Sequence, residues 1–212
     1  LAMYRYDLLA YGRTLDVLFL PSLPMADHVP LPKHMPLVEL PPGHDVAAAA
    51  EPPEGNQVRL FYVGGLTGQY QLGAFLEAVH RVPEVSFTLC CRPAEWEKAK
   101  LDYAPWLGDN LHIVHKASEE LAPLFAAANV GVLATEPQAY WAFAAPLKLY
   151  EYIGNNLPII ASEGSHAGAM VAESGLGWTL PYDADAFEAK LRDLVAHPEQ
   201  IAAVRARVTE VR

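Results

Sequence analysis

The chain has 212 residues, 52% of them hydrophobic and 19% charged, a balance that supports a substantial core and excludes a disordered chain. Its formal charge of −10 excludes a general nucleic-acid binder, because backbone binding needs a basic face. Any anionic ligand must therefore be met by a local cluster of cations. No apolar run approaches the roughly 20 residues that span a bilayer, and the N-terminal stretch reads without a charged-then-apolar leader. Cys90 and Cys91 are adjacent in an apolar run, so in a strand they point to opposite faces. That makes neither a metal pair nor a disulfide, and a reducing cytoplasm is the expected location.

In chain order, residues 2–11 read as a helix, 16–20 as a buried strand and 38–40 as another short strand. Prolines crowd the stretch from Pro21 to Pro53, and the Ala-, Pro- and Glu-rich residues up to Asn56 read as a linker. From residue 58 onward strand and helix signals alternate. Strands are expected at 58–63, 85–91, 111–115, 130–134, 157–161 and 177–180. Helices are expected at 72–80, 94–102, 119–128, 146–154, 167–173, 184–197 and 199–211. The strands are short, nearly continuous apolar runs, as when helices cover both faces of a sheet. The alternation predicts an α/β fold with a doubly wound parallel sheet. Ligands of such sheets bind beyond the strand carboxyl ends. Those ends read Gly64-Gly65, Arg92, His115-Lys116, Thr135-Glu136 and Ser162-Glu163.

The segment 146–162, PLKLYEYIGNNLPIIAS, carries the most chemistry. Proline suits a helix start, where its missing N–H costs nothing. Lys148 follows in the first turn, where a cation opposes the positive end of the helix dipole. A helix start is also an anion site, so the lysine makes sense with a phosphate-bearing ligand between them. Glu151 falls on the same face three residues on, a carboxylate placed to bind hydroxyls; an ordinary surface pair is the plainer alternative. Asn155-Asn156 supplies a left-handed stop, and 158–162 a short buried strand.

Pro-x-Lys-x-x-Glu-Tyr followed by a helix stop and Pro-Ile-Ile-Ala-Ser resembles the donor-binding motif of GT-B glycosyltransferases, nearest to the retaining, family-4-like group. The resemblance implies a Rossmann-like C-terminal domain over residues 58–212. It further implies a remnant of an acceptor-side N-terminal domain at 1–45 and a linker at 46–57. By the same resemblance Glu151 binds the ribose of a nucleotide-sugar, and Pro146, Leu147 and Lys148 flank its diphosphate. The sequence departs from the group in two places. The first glutamate of its E-x7-E signature falls on Phe143, and the cations that often follow the first strand are absent from Gly64-Gly65-Leu66-Thr67-Gly68-Gln69-Tyr70.

Further donor-binding candidates are Gly64 and Gly65 for close backbone approach, Arg92 for a bidentate diphosphate contact, and Lys116 beside the base. The plainer readings are a tight turn, a surface pair of Arg92 with Glu95 or Glu97, and a solvated loop lysine. Glu136 opens the loop 136–146, whose Tyr140, Trp141 and Phe143 either wall the donor pocket, stack on a base, or pack against the first domain. G-x-G-x-x-G, the P-loop, G-x-S-x-G and histidine pairs at metal-ligand spacing are all missing, so no catalytic residue and no metal ligand is assigned. The expected activity is transfer of a sugar from a nucleoside-diphosphate sugar to a glycan or glycolipid acceptor, as in polysaccharide biosynthesis. No separate cofactor is expected, and peripheral membrane contact is left to the absent domain. A non-catalytic α/β nucleotide-binding module and a GT-B nucleotide-sugar epimerase are the alternatives.

Overall fold

The computed structural model describes residues 6, 12, 14–29, 31, 34–46 and 55–212. The helix expected at 2–11 lies outside the described residues apart from Tyr6, as do residues 47–54 of the expected linker.

Two short strands, β1 (Leu18–Leu20) and β2 (Leu37–Glu39), pair in parallel as a sheet of their own. The main sheet has six strands: β3 (Arg59–Val63), β4 (Ser86–Cys90), β5 (Leu111–Val114), β6 (Val130–Leu133), β7 (Ile159–Ser162) and β8 (Gly177–Leu180). All pairs are parallel, in the order β5-β4-β3-β6-β7-β8. This is the doubly wound order in which the chain reverses direction across the sheet between its first and fourth strands, here β3 and β6.

Seven α-helices connect and follow these strands: α1 (Gly73–Arg81), α2 (Pro93–Tyr103), α3 (Ala122–Ala127), α4 (Leu147–Gly154), α5 (His166–Ser174), α6 (Ala184–Ala196) and α7 (Glu199–Val211). Strand alternation divides the core in two. Leu60 and Tyr62 of β3 join Phe75 of α1, Tyr103 of α2 and Phe187 of α6 on one face. Phe61 between them joins Phe125 of α3, Leu149 and Tyr152 of α4, and Val171 of α5 on the other. Full burial of a side chain such as Leu149 contributes roughly 1.5–3 kcal/mol.

Most boundaries shift by a residue or two from the sequence expectation, and three of the differences have a local cause. The expected helix at 119–128 is a short 3-10 turn (Ser118–Glu120) and then α3, which starts at Ala122 so that Pro123 falls in its first turn, where the missing N–H of proline costs nothing. Pro146 is the cap of α4 in extended geometry, and Leu147 is its first helical residue. The strand expected from 157 starts at Ile159, because Leu157 completes the helix stop instead. Leu157 N–H donates to Tyr152 O and Asn156 N–H to Ile153 O, with Asn156 at φ 57°, the paired bonds of a Schellman cap. Residues 44 and 45 lie against this end of α4, where a Cβ on Gly154 would sit 2.9 Å from Asp45 O and from His44 Nδ1.

Candidate functional site

β3 and β6 share a ladder of only two pairs, Leu60 with Val130 and Phe61 with Gly131. Beyond it, at the carboxyl ends, the loops after β3 and β6 and the start of α4 surround a crevice at the topological switch point. α4 brings Lys148 there as its second helical residue. Its side chain runs toward Gly64, where a Cβ would stand 2.3 Å from Lys148 Cε and 2.7 Å from Nζ. Gly64 has φ +157°, so lack of a side chain serves both its backbone and the lysine's path.

The ammonium lies 5.3 Å from the ring centroid of Tyr70 and 5.9 Å from that of Tyr62. It makes no hydrogen bond or ion pair among the described residues. Burial pushes the Lys148 pKa below the ordinary lysine value, and the Glu151 charge pulls it partly back. A half-buried cation without an ion-pair partner is costlier than a solvated one unless an anion completes it.

Lys148 stands between two hollows. The larger, about 480 Å³, is lined by Gly65, Thr67, Gly68, Gln69 and Tyr70 of the loop after β3, with Arg92, Glu95 and Lys148. The smaller, about 20 Å³, is walled by Tyr62, Tyr70, Thr135, Trp141, Pro146 and Ser165, among others. Trp141 fills this side: its indole Nε1 donates to Gln69 O at 2.7 Å and its ring meets Tyr70 edge-on. Glu136 N–H donates to Gln71 O at 2.9 Å, a second tie between the loops after β6 and β3.

The structure thus brings Pro146, Lys148, Gly64, Gly65 and Arg92 to one crevice. The other sequence candidates stand apart from these two hollows. Glu151 is half-buried one turn along α4. Leu147 is 61% exposed and Tyr140 45% exposed, the latter against Trp141 and Phe143. Glu136 contributes the backbone tie, and Lys116 is engaged with Glu120 at 2.7 Å. Arg92 caps α2 and forms neither of the expected pairs with Glu95 and Glu97. Glu95 instead holds the glycine loop, accepting from Leu66 N–H at 3.2 Å and Thr67 Oγ1 at 2.9 Å. The aromatic loop has two uses: Trp141 walls the crevice, while Phe143 packs on His28 of the N-terminal segment at 4.3 Å between ring centroids, and the Ser22 hydroxyl donates to Phe143 O.

The roles of Tyr62, Tyr70 and Glu95 escape the sequence reading. Tyr62 reads as one more strand residue, and Tyr70 follows a glycine loop whose path local spacing does not define. Among the described residues no group of three His, Cys, Asp or Glu side chains could hold a metal ion. No helix among them is long and apolar enough to cross a membrane. A separate hollow of about 390 Å³ lies at the opposite end of the sheet, beside Asn129 and Arg205, remote from the strand carboxyl ends.

A family model described as glycosyl transferases group 1 matches residues 57–197. Solved structures share the fold. The sucrose-phosphate synthase of Thermosynechococcus elongatus superposes with a TM-score of 0.73 at 19% identity, over 97% of this chain and 57% of that one. Anabaena HepE in complex with UDP-glucose gives 0.75 at 11% identity, over 98% and 62%. The pneumococcal O-GlcNAc transferase GtfA in complex with UDP and GlcNAc gives 0.61 at 15% identity, over 98% and 43%. The chain therefore spans about half the length of the structures it matches. No curated protein matches the sequence.

Proposed function

Because this chain belongs to the group 1 glycosyl transferases, we propose that it binds a nucleoside-diphosphate sugar at the Lys148 crevice and forms the donor side of a retaining sugar transfer. The observation that carries this reading is the half-buried ammonium of Lys148, without a hydrogen bond or ion pair among the described residues, at the start of α4 and the mouth of the switch-point crevice. As the glycosidic bond breaks, the leaving diphosphate gains negative charge. Lys148, the Arg92 guanidinium and the opening amides of α4 would stabilise that charge where it develops. Glu151 would accept hydrogen bonds from the ribose hydroxyls. Residues 1–45 fit the edge of an acceptor-side domain, with a saccharide or lipid-linked acceptor met beyond it, and this chain alone is expected to bind donor with little transfer.

A second reading is a nucleotide-binding module without catalysis. It is favoured by Phe143, which stands where the related group carries its first glutamate and is spent on packing against His28. Hydrolysis or transfer by the chain joined to an acceptor domain would exclude it.

The test is thermal stabilisation by UDP, GDP, ADP and TDP. A bound nucleotide at 100 times its Kd adds about 2.7 kcal/mol of stability. Lys148→Ala and Glu151→Ala should each remove most of that gain. If both variants keep the full shift, the site lies elsewhere.

A further inference from the structure

The donor-site reading leaves open what keeps the Lys148 ammonium in place before a ligand arrives. Its position on α4 is electrostatically adverse, because a helix start carries partial positive charge. Burial further disfavours the charge, no oxygen of the described residues accepts from it, and the loop 64–70 beside it holds no cation or carboxylate. A flexible lysine under those conditions would turn out into solvent. What faces it instead is the pair of tyrosine rings, both within the roughly 6 Å at which a ring quadrupole attracts a cation.

We infer that Tyr70, backed by Tyr62, is the positioning residue of this site: its ring face holds the Lys148 ammonium charged and aimed into the crevice, ready for the phosphate oxygens of a nucleoside diphosphate. The inference rests on the donor-site reading. The two rings differ in use. Tyr62 is buried, and its hydroxyl donates to Gly65 O at 2.6 Å, so it also fixes the glycine loop. Tyr70 is half-buried, and its hydroxyl has no partner among the described residues, so its ring is what the site employs. Trp141 braces that ring edge-on, at 5.4 Å between centroids, and is itself fixed to Gln69 O. The loop after β6 therefore sets the lysine through one intermediate ring.

The experiment is UDP affinity by calorimetry on the whole chain. Tyr70→Phe should bind within about twofold of the parent, and Tyr70→Leu about tenfold more weakly, as for a partly desolvated cation–π contact. Because a packing role would also be rescued by Phe, position 70 is further replaced by phenylalanines of rising ring fluorination. These keep the shape while the ring face loses its negative potential. A stepwise fall of affinity with fluorination supports the inference. Equal affinity across that series, with Lys148→Ala still abolishing binding, overturns it and leaves the donor site standing. If the parent chain binds no nucleotide, the donor-site reading fails and this inference falls with it.

Discussion

Gly64 and Lys148 form a pair in which one residue's missing atoms make room for the other's charge. In Gly64→Ala the new Cβ would fall 2.3 Å from Lys148 Cε, and the flexible stem would give way first. With φ at +157°, the backbone would add strain of about 1–3 kcal/mol. The expected result is a folded protein, slightly less stable in urea, with UDP affinity reduced as in Lys148→Ala; unchanged affinity would mean that the ammonium finds another path. The same residue sets a pH dependence. Burial lowers the Lys148 pKa, and the ammonium is the form that meets phosphate. Affinity should therefore hold at low and neutral pH and fall as pH rises through the lowered value, earlier than for a solvated lysine. For stability the sign is opposite: below that pH the charged lysine is a cost to the folded state, relieved on deprotonation. The lysine's importance is legible in the sequence because a cation in a first helical turn contradicts the dipole. The rings that hold it are not, since Tyr62 and Tyr70 meet it through tertiary approach.

Among elements, the loop from β3 to α1 has neither helix nor strand, and one carboxylate organises it. Glu95, near the start of α2, accepts from Leu66 N–H and the Thr67 hydroxyl, while the Tyr103 hydroxyl at the end of α2 donates to Leu66 O and accepts from Leu72 N–H. α2 thus holds the loop at both ends of the helix. The bonds from Leu66 and Thr67 depress the Glu95 pKa below the usual carboxylate value of 4.5. A depressed carboxylate stabilises the fold fully above 4.5, and that contribution disappears as pH falls through the depressed value. Glu95→Ala should leave the sheet intact while speeding amide hydrogen exchange at Leu66 and Thr67 and weakening UDP binding. In the parent, protection there, taken relative to the intrinsic exchange rate at each pH, should fall in acid; protection equal to the parent in the variant would refute the anchoring. A sequence reading pairs Glu95 with Arg92 because they are neighbours on one helix, and a partner nearly thirty positions upstream leaves no local trace. The strands and most helices are legible because apolar runs and glycine or proline stops are local, and every main-sheet strand lies within two residues of expectation.

Across the whole molecule, the crevice that defines the site is also a weakness, because β3 and β6 are joined by so short a ladder. Tyr152 spans it. Fully buried on the side of α4 away from solvent, it places its hydroxyl 3.2 Å from Phe61 O of β3 and 3.3 Å from Val132 O of β6. Gly131 makes this possible: a Cβ there would lie 2.6 Å from the Tyr152 ring. The helix that presents Lys148 to the crevice therefore stitches the two halves of the sheet from beneath, so placement of the site and integrity of the sheet share one element. Desolvation drives the pKa of this phenol well above the usual range, against the lowering effect of backbone hydrogen bonds at Val63 and Val132. Tyr152→Phe keeps the ring over Gly131 and removes only the bridge. Leaving buried carbonyls short of a donor should cost about 1–3 kcal/mol, read as a lower urea midpoint with an unchanged slope. Because the ring still positions α4, UDP affinity should stay within about twofold of the parent. A loss of affinity larger than the loss of stability would mean that the hydroxyl bridge, and not the packed ring, sets the angle at which α4 offers Lys148 to the crevice.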